Sequence, residues 1–292
     1  MPGGHTFYTL LQRQFGNLND DPWSRVAVQE EMARWLLNDR ITIEGKVFFE
    51  VGTGHKPVIP ICFFLMGAGK VYTVDLNRRM DRKLLKGVLV HLLHKRETLI
   101  EKWKVFTSEG LLTQRFDMML HRKDEPERFL QEAGIHYLAP ADAGSVDLPD
   151  GEIDCHISNT VMEHIEPAVL LKIAREACRL LKKDGVALHF IDLSDHFQHQ
   201  DPSISTINFL KYSENEWNRI AGNEYAYTNR LRAPDYISIF NELSLKVLRK
   251  EVQVNKNQQL STAVVPDSSF GSYCEEDINT TDLRLLLQKK EE

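Results

Sequence analysis

Apolar residues recur at helical spacing through W-S-R-V-A-V-Q-E-E-M-A-R-W-L-L, so residues 1–45 read as mainly helical. From residue 46 the pattern changes to short apolar runs alternating with helical segments. V-F-F-E-V, V-Y-T-V-D, I-H-Y-L, I-D-C-H-I-S and V-A-L-H-F-I-D-L are the first five such runs. Between them lie a buried helix in P-V-I-P-I-C-F-F-L-M, a helical region over 79–104 and a charged helical stretch around R-F-D-M-M-L-H-R-K-D-E-P-E-R-F-L-Q-E-A. Pro167 marks a helix start, and Asp184-Gly185 reads as its stop after Lys183. Residues 194–232 interrupt the rhythm with polar and aromatic positions. It resumes with a helix from Pro234 and two further strands, S-L-K-V-L-R-K-E-V and D-L-R-L-L-L-Q. Apolar strands alternating with helices predict an α/β fold: a Rossmann-like, seven-stranded, mostly parallel sheet with helices on both faces.

The domain reading is an N-terminal helical lid over 1–45 and a catalytic domain over 46–292, with a cap inserted at about 194–232. The chain shows no internal repeat and no low-complexity tract.

In E-V-G-T-G-H-K-P, an apolar strand ends in Glu50 and runs into a loop with glycines at 52 and 54. In parallel sheets ligands bind at the carboxyl ends of the strands, where this loop lies. Asp75 ends the next strand, at the distance where an acid accepts from ribose hydroxyls. Two ligand classes share these features. A dinucleotide fingerprint would place a third glycine where Lys56 stands, and Glu50 would repel a pyrophosphate at the helix N-terminus. S-adenosylmethionine carries a sulfonium and an ammonium group and no phosphate, so the carboxylate favours it. The plain alternative is a strand-turn-helix with no ligand.

E-V-G-T-G-H, V-Y-T-V-D-L, A-D-A-G-S-V-D-L-P-D-G-E-I-D-C-H-I-S-N-T-V-M-E-H-I and L-L-K-K-D-G-V-A-L-H-F together resemble the successive motifs of class I S-adenosylmethionine-dependent methyltransferases, over roughly residues 46–193. The resemblance implies that Glu50, Gly52, Thr53 and Gly54 line the methionine end of the cofactor. It implies that Asp75 holds the ribose hydroxyls, that Leu76 lies against the adenine, and that Asp142 accepts from the adenine amino group beside Ala143. Asn159 falls near the sulfonium. His55-Lys56 departs from the small residue usual in that family.

Methyl transfer is an in-line displacement at an activated carbon, so positioning supplies much of the catalysis. A base is needed when the acceptor is a hydroxyl or a protonated amine. The candidates are His164, Asp192 and His196. Their bland readings are a capping loop histidine, a solvated strand-end carboxylate and a solvated loop. D-L-S-D-H-F-Q-H-Q-D places Asp195, His196, His199 and Asp201 close together. A divalent metal is one reading of that cluster. A substrate-facing base or hydrogen-bond cluster is preferred, and no metal is assigned. His199, Tyr225, Asn229, Arg230 and Arg232 are the acceptor-binding candidates, with the arginines suited to a carboxylate or phosphate. Their rival reading is pairing with the protein's own acids.

Charge and cysteine content narrow the partners. The net charge is −6, from 36 basic and 42 acidic side chains, which opposes nucleic acid and anionic membrane as partners. Cys62, Cys155, Cys178 and Cys274 are dispersed and read as reduced thiols. The N-terminal residues lack the pattern of a signal peptide, and the expected compartment is the cytoplasm. The functional expectation is S-adenosylmethionine-dependent methylation of an oxygen or nitrogen on a small acceptor, a sugar or specialised metabolite. A nicotinamide-dependent oxidoreductase and a non-catalytic binding module of the same fold are the alternatives.

Overall fold

The computed structural model describes residues 22–199, 201, 203–222, 227–254 and 264–290. Its strands are β1 (Val47–Val51), β2 (Lys70–Val74), β3 (Ile135–Leu138), β4 (Ile153–Asn159), β5 (Leu181–Asp192), β6 (Leu245–Val254) and β7 (Thr280–Lys289). They form one seven-stranded sheet in the order β3-β2-β1-β4-β5-β7-β6. β1, β4 and β5 run parallel, as do β2 and β3, whereas β7 is antiparallel to both β5 and β6. This is a Rossmann-like arrangement closed by one antiparallel strand, and each apolar run expected to be a strand is one.

Burial explains the pattern. Side chains alternate across a strand, so consecutive buried residues mean that both faces are covered. β1 and β5 have such runs, at Phe48–Val51 and Gly185–Ile191. β6 alternates between buried or half-buried and exposed positions over most of its length, as an edge strand does.

The chain divides into two compact units. The first runs from α1 (Pro22–Asn38) to Val47 and resumes over Thr53–Pro140. It holds α2 (Val58–Leu65), α3 (Arg82–His94), α4 (Arg96–Trp103), α5 (Glu109–Arg122) and α6 (Pro126–Glu132). Every residue of α2 is buried. α1 packs on it through a face that includes Val26, Met32, Trp35 and Leu36. Its buried Glu30 accepts from Trp103 Nε1 at 2.7 Å and pairs with Lys102. The described part of the expected lid is thus built into the core of this unit, and residues 1–21 lie outside the described residues.

The second unit comprises Phe48–Gly52 and the described residues from Ala141 onward. It holds α7 (Pro167–Leu180), α8 (Glu214–Ala221), α9 (Ala233–Asn241) and α10 (Glu275–Asn279). α7 starts at Pro167 as expected but ends at Leu180, before the expected stop at Asp184-Gly185. Leu181 is already extended and pairs with Ile153, the register then shifts before Cys155 pairs with Val186, and a Cβ on Gly185 in this irregular stretch would lie 3.0 Å from the Lys182 carbonyl oxygen.

Within the stretch expected to be a cap, Ile207, Phe209, Leu210, Trp217 and Ala221 form a small separate core. Phe270 completes it from beyond residue 232, so the cluster draws on two segments. α8 begins with the expected capping box, Ser213 and Glu216 each bonding the other's backbone.

Candidate active site

In the first unit, the loop after β1 is tied to the tip of β2. Gly54 adopts φ +66° and donates its N–H to Asp75 Oδ2 at 2.7 Å. Thr53 is buried, bonds to Thr73 by its hydroxyl, and donates its N–H to Val74 O at 3.4 Å. Burial raises the pKa of Asp75, and the Gly54 amide and Arg79 draw it part of the way back. Leu76 follows with 70% of its surface exposed, an apolar plate next to a carboxylate. His55, at the position where the resemblance departs, bonds through Nδ1 to Arg79 O at 3.2 Å.

In the second unit, Glu50 is buried near the carboxyl end of β1, in register with Ile157 of β4. Gly52 has φ +86°, and a Cβ there would lie 2.4 Å from Val161 Cγ2. Only glycine permits both the turn and this close approach. Asn159 ends β4 and bonds to the Thr160 hydroxyl at 3.3 Å. Asp142 accepts from Lys172 Nζ at 2.5 Å and from the Gly144 amide at 2.8 Å. These bonds hold its pKa below the ordinary value. Ala143 is half-buried beside it.

The catalytic candidates converge within the second unit. His164 lies in the single 3₁₀ turn after β4, and its Nδ1 is 2.9 Å from the Tyr227 carbonyl. His196 lies in the turn after β5, its ring centroid 4.9 Å from that of His164. His196 Nε2 is 3.3 Å from Asp192 Oδ2. Burial pushes Asp192 upward, but His196 and Ser194 outweigh it and leave its pKa lowered. Burial lowers His164, and the neighbouring His196 adds to that, against the pull of Tyr227 O and Asp192.

Glu163 is the member that the sequence pattern missed. It is 3% exposed, and among the described residues neither carboxyl oxygen has a hydrogen bond of good geometry. Burial raises its pKa well above the usual range, with the charges of Asp192 and Asp282 adding to the effect. Ligand atoms of Glu163, His164 and His196 lie within 4.8 Å of one another. The available signal was position alone: an acid beside His164 at the end of a parallel strand.

Other candidates have different jobs in the structure. Asp195 is buried and caps its own turn, accepting from Phe197 N at 2.9 Å and Asn208 Nδ2 at 3.3 Å. Asn229, expected to bind the acceptor, spends its side chain on the protein. Its amide donates to Met162 O and Ile165 O at 2.9 Å each and accepts from Leu231 N and Tyr236 Oη. It is a brace for the turn that carries Glu163 and His164. Arg230, also expected to face the acceptor, is 5% exposed. It bonds Phe209 O, Tyr212 O and Glu214, and stacks over Trp217 and Phe270. Arg232 is fully buried and donates to the carbonyls of Leu193, Asp277, Ile278 and Thr280. Burial pushes its pKa down to about 10. Both arginines, expected to meet the acceptor, bond backbone carbonyls of the protein itself, which folding brings to them from far along the chain. The side chain of His199 and the whole of Tyr225 lie outside the described residues.

A cavity of about 620 Å³, lined by Asp150, Arg179, Lys183 and Lys289 among others, opens at the amino ends of β4 and β5. Parallel sheets bind ligands at the opposite ends, so this cavity lies away from the chemistry.

Residues 116–189 match the Methyltransferase domain family. The fold resembles that of magnesium protoporphyrin IX methyltransferase from Synechocystis, solved with bound S-adenosylhomocysteine, at TM-score 0.51 and 12% identity over 99% of this chain and 96% of that one. It also resembles a Listeria monocytogenes protein provisionally assigned as an S-adenosylmethionine-dependent methyltransferase, at TM-score 0.50 and 12% identity over 91% and 100% of the two chains. A Pyrococcus horikoshii protein matches at TM-score 0.52 and 11% identity, over 96% and 98%. No curated protein matches the chain. The fold is therefore that of these methyltransferases. No helix among the described residues is long and apolar enough to cross a membrane.

Proposed function

We propose that the protein transfers the methyl group of S-adenosylmethionine to an oxygen or nitrogen of a small acceptor, a sugar or specialised metabolite. The observation that carries this reading is the cluster of His164, Asp192 and His196 at the carboxyl ends of β4 and β5. His164 and Asp192 have pKa values displaced from the ordinary ones, and such groups mark candidate sites of proton transfer. His196, held by Asp192, is the base for the acceptor's proton, and His164 completes the polar wall of the acceptor site.

The cofactor roles follow the motif positions. In the first unit, Asp75 accepts from the ribose hydroxyls, and exposed Leu76 packs on the adenine. Thr53 and Gly54 carry the loop backbone. In the second unit, Glu50 attracts the cationic methionine end, Gly52 admits close approach and Asn159 lies by the sulfonium. Asp142 and Ala143 take the adenine edge. The described part of 194–232, with its own small core, serves as the cap over the acceptor.

The test is methyl-labelled S-adenosylmethionine offered with a panel of sugars and oxygen- or nitrogen-bearing metabolites. The expected result is label transfer to one class, with His196→Ala slowing turnover while cofactor affinity is kept. Tight cofactor binding with no transfer to any acceptor would point instead to a binding module.

A further inference from the structure

We propose that Glu163, His164 and His196 bind one divalent transition-metal ion, of the zinc, manganese or iron(II) class, and that the ion takes an oxygen of the acceptor. The proposal deepens the reading of the acceptor site given above and rests on it. It turns His196 from a base, and His164 from part of the polar wall, into ligands and narrows the acceptor atom to oxygen.

Three features of the cluster fit a metal better than they fit a bare histidine base. First, its donors are two imidazoles and one carboxylate, a set that suits borderline divalent ions and leaves coordination positions open. Second, His164 has the outer hydrogen-bond partner that metal-bound histidines use, and His196 has a carboxylate at ion-pair distance. His164 Nδ1 lies 2.9 Å from the Tyr227 carbonyl, which directs its Nε2 elsewhere, and His196 lies against the Asp192 carboxylate at 3.3 Å. A carbonyl or carboxylate on the far nitrogen fixes the tautomer and makes the ligating nitrogen more basic. Third, Glu163 has a buried carboxyl group without a well-formed hydrogen bond among the described residues. Such a group is costly unless a cation or donor meets it. The turn that carries it is braced by Asn229, which bonds the carbonyls at 162 and 165.

The donor atoms lie within 4.8 Å of one another. Ligand atoms around such an ion sit about 3–4 Å apart, so binding draws them in by about 1 Å. A hydroxyl on the ion loses its proton to solvent more readily. The oxygen lone pair then forms the bond to the methyl carbon. The carbon–sulfur bond breaks, and its electron pair returns to sulfur as the thioether.

The test is equilibrium dialysis of the full chain against Zn²⁺ or Mn²⁺, with direct metal analysis and Mg²⁺ as the oxygen-preferring control. One ion per chain is expected, with Zn²⁺ and Mn²⁺ held more tightly than Mg²⁺. Glu163→Gln and His196→Asn should each weaken binding at least about 10-fold, and Asp192→Asn about 10–100-fold through the lost support of His196. Affinity for S-adenosylhomocysteine should be unchanged in all three, which also shows that they fold. A wild-type chain that takes up no ion, or variants that hold it as tightly as wild type, would overturn the metal site. In that event, loss of methyl transfer in His196→Asn would leave the base reading standing. Failure to bind S-adenosylhomocysteine would remove the methyltransferase reading itself, whatever the metal result.

Discussion

The N–H of Gly54 donates to Asp75 Oδ2 at 2.7 Å, across 21 residues of chain. This bond holds the glycine loop against the tip of β2 and orients the carboxylate. Asp75→Ala should weaken S-adenosylhomocysteine binding by about 1–3 kcal/mol, read by calorimetric titration. An unaltered dissociation constant would remove Asp75 from the cofactor site.

The pH dependence of that binding has a defined sign. Burial raises the pKa of Asp75. Ribose hydroxyls prefer the ionised carboxylate, so affinity should fall as pH drops through this raised value, earlier than for an ordinary aspartate. Asp75→Asn should remove that part of the dependence. A wild-type profile identical to that of Asp75→Asn would contradict the assignment.

Gly52 is held by its left-handed backbone and by the side chain of Val161, which a Cβ would meet at 2.4 Å. Gly52→Ala should destabilise the fold by about 1–3 kcal/mol through overpacking, plus about 1 kcal/mol or more of backbone strain. Adding Val161→Ala should recover the packing part alone. Denaturant unfolding of the two variants measures both, and equal losses would show that contact with Val161 is not the cause.

Arg232 ties the end of β5 to the chain entering β7 through the carbonyls of Leu193, Asp277, Ile278 and Thr280. Arg232→Met should cost about 3–5 kcal/mol of stability, because buried carbonyls lose their donors. Lys at this position should restore only a fraction, since an ammonium lacks the planar fork. If Arg232→Met unfolds at the wild-type midpoint but loses acceptor affinity, the arginine is a substrate ligand after all.

His156 is buried in β4, stacked on Phe49 at 5.3 Å, and burial lowers its pKa to about 4. The unfolded chain protonates this side chain near 6.5, so protons favour unfolding between about pH 6.5 and 4. Stability should be lost as pH falls through that window, by up to about 1.4 kcal/mol per pH unit for this group. His156→Phe should flatten the slope over the same range. A slope identical to wild type would show that the histidine does not carry it.

The sheet was legible because its strands are apolar runs whose burial on both faces needs no alternation. Phe48–Val51 and Val186–Ile191 read as strands from composition alone. Boundaries were less legible where exposed polar residues decide them. Lys182, Lys183 and Asp184 have no periodicity, so α7 seemed to run three residues too far. The link between the glycine loop and the tip of β2 was visible because glycine and acid spacing is local to each strand end. The acceptor region was not. Arginine and asparagine look like ligands in a sequence, whereas Arg232 and Asn229 meet carbonyls that only folding brings near. Glu163 went unread for the same reason: its burial is set by folding and not by the local pattern.

The most direct test of the central claim is calorimetric titration of the purified chain with S-adenosylhomocysteine and, separately, with NADH. A buried carboxylate at the end of β1 favours a cationic, phosphate-free nucleoside, so one equivalent of S-adenosylhomocysteine should bind and NADH should give no heat. Saturable binding of NADH with none of S-adenosylhomocysteine would contradict the account.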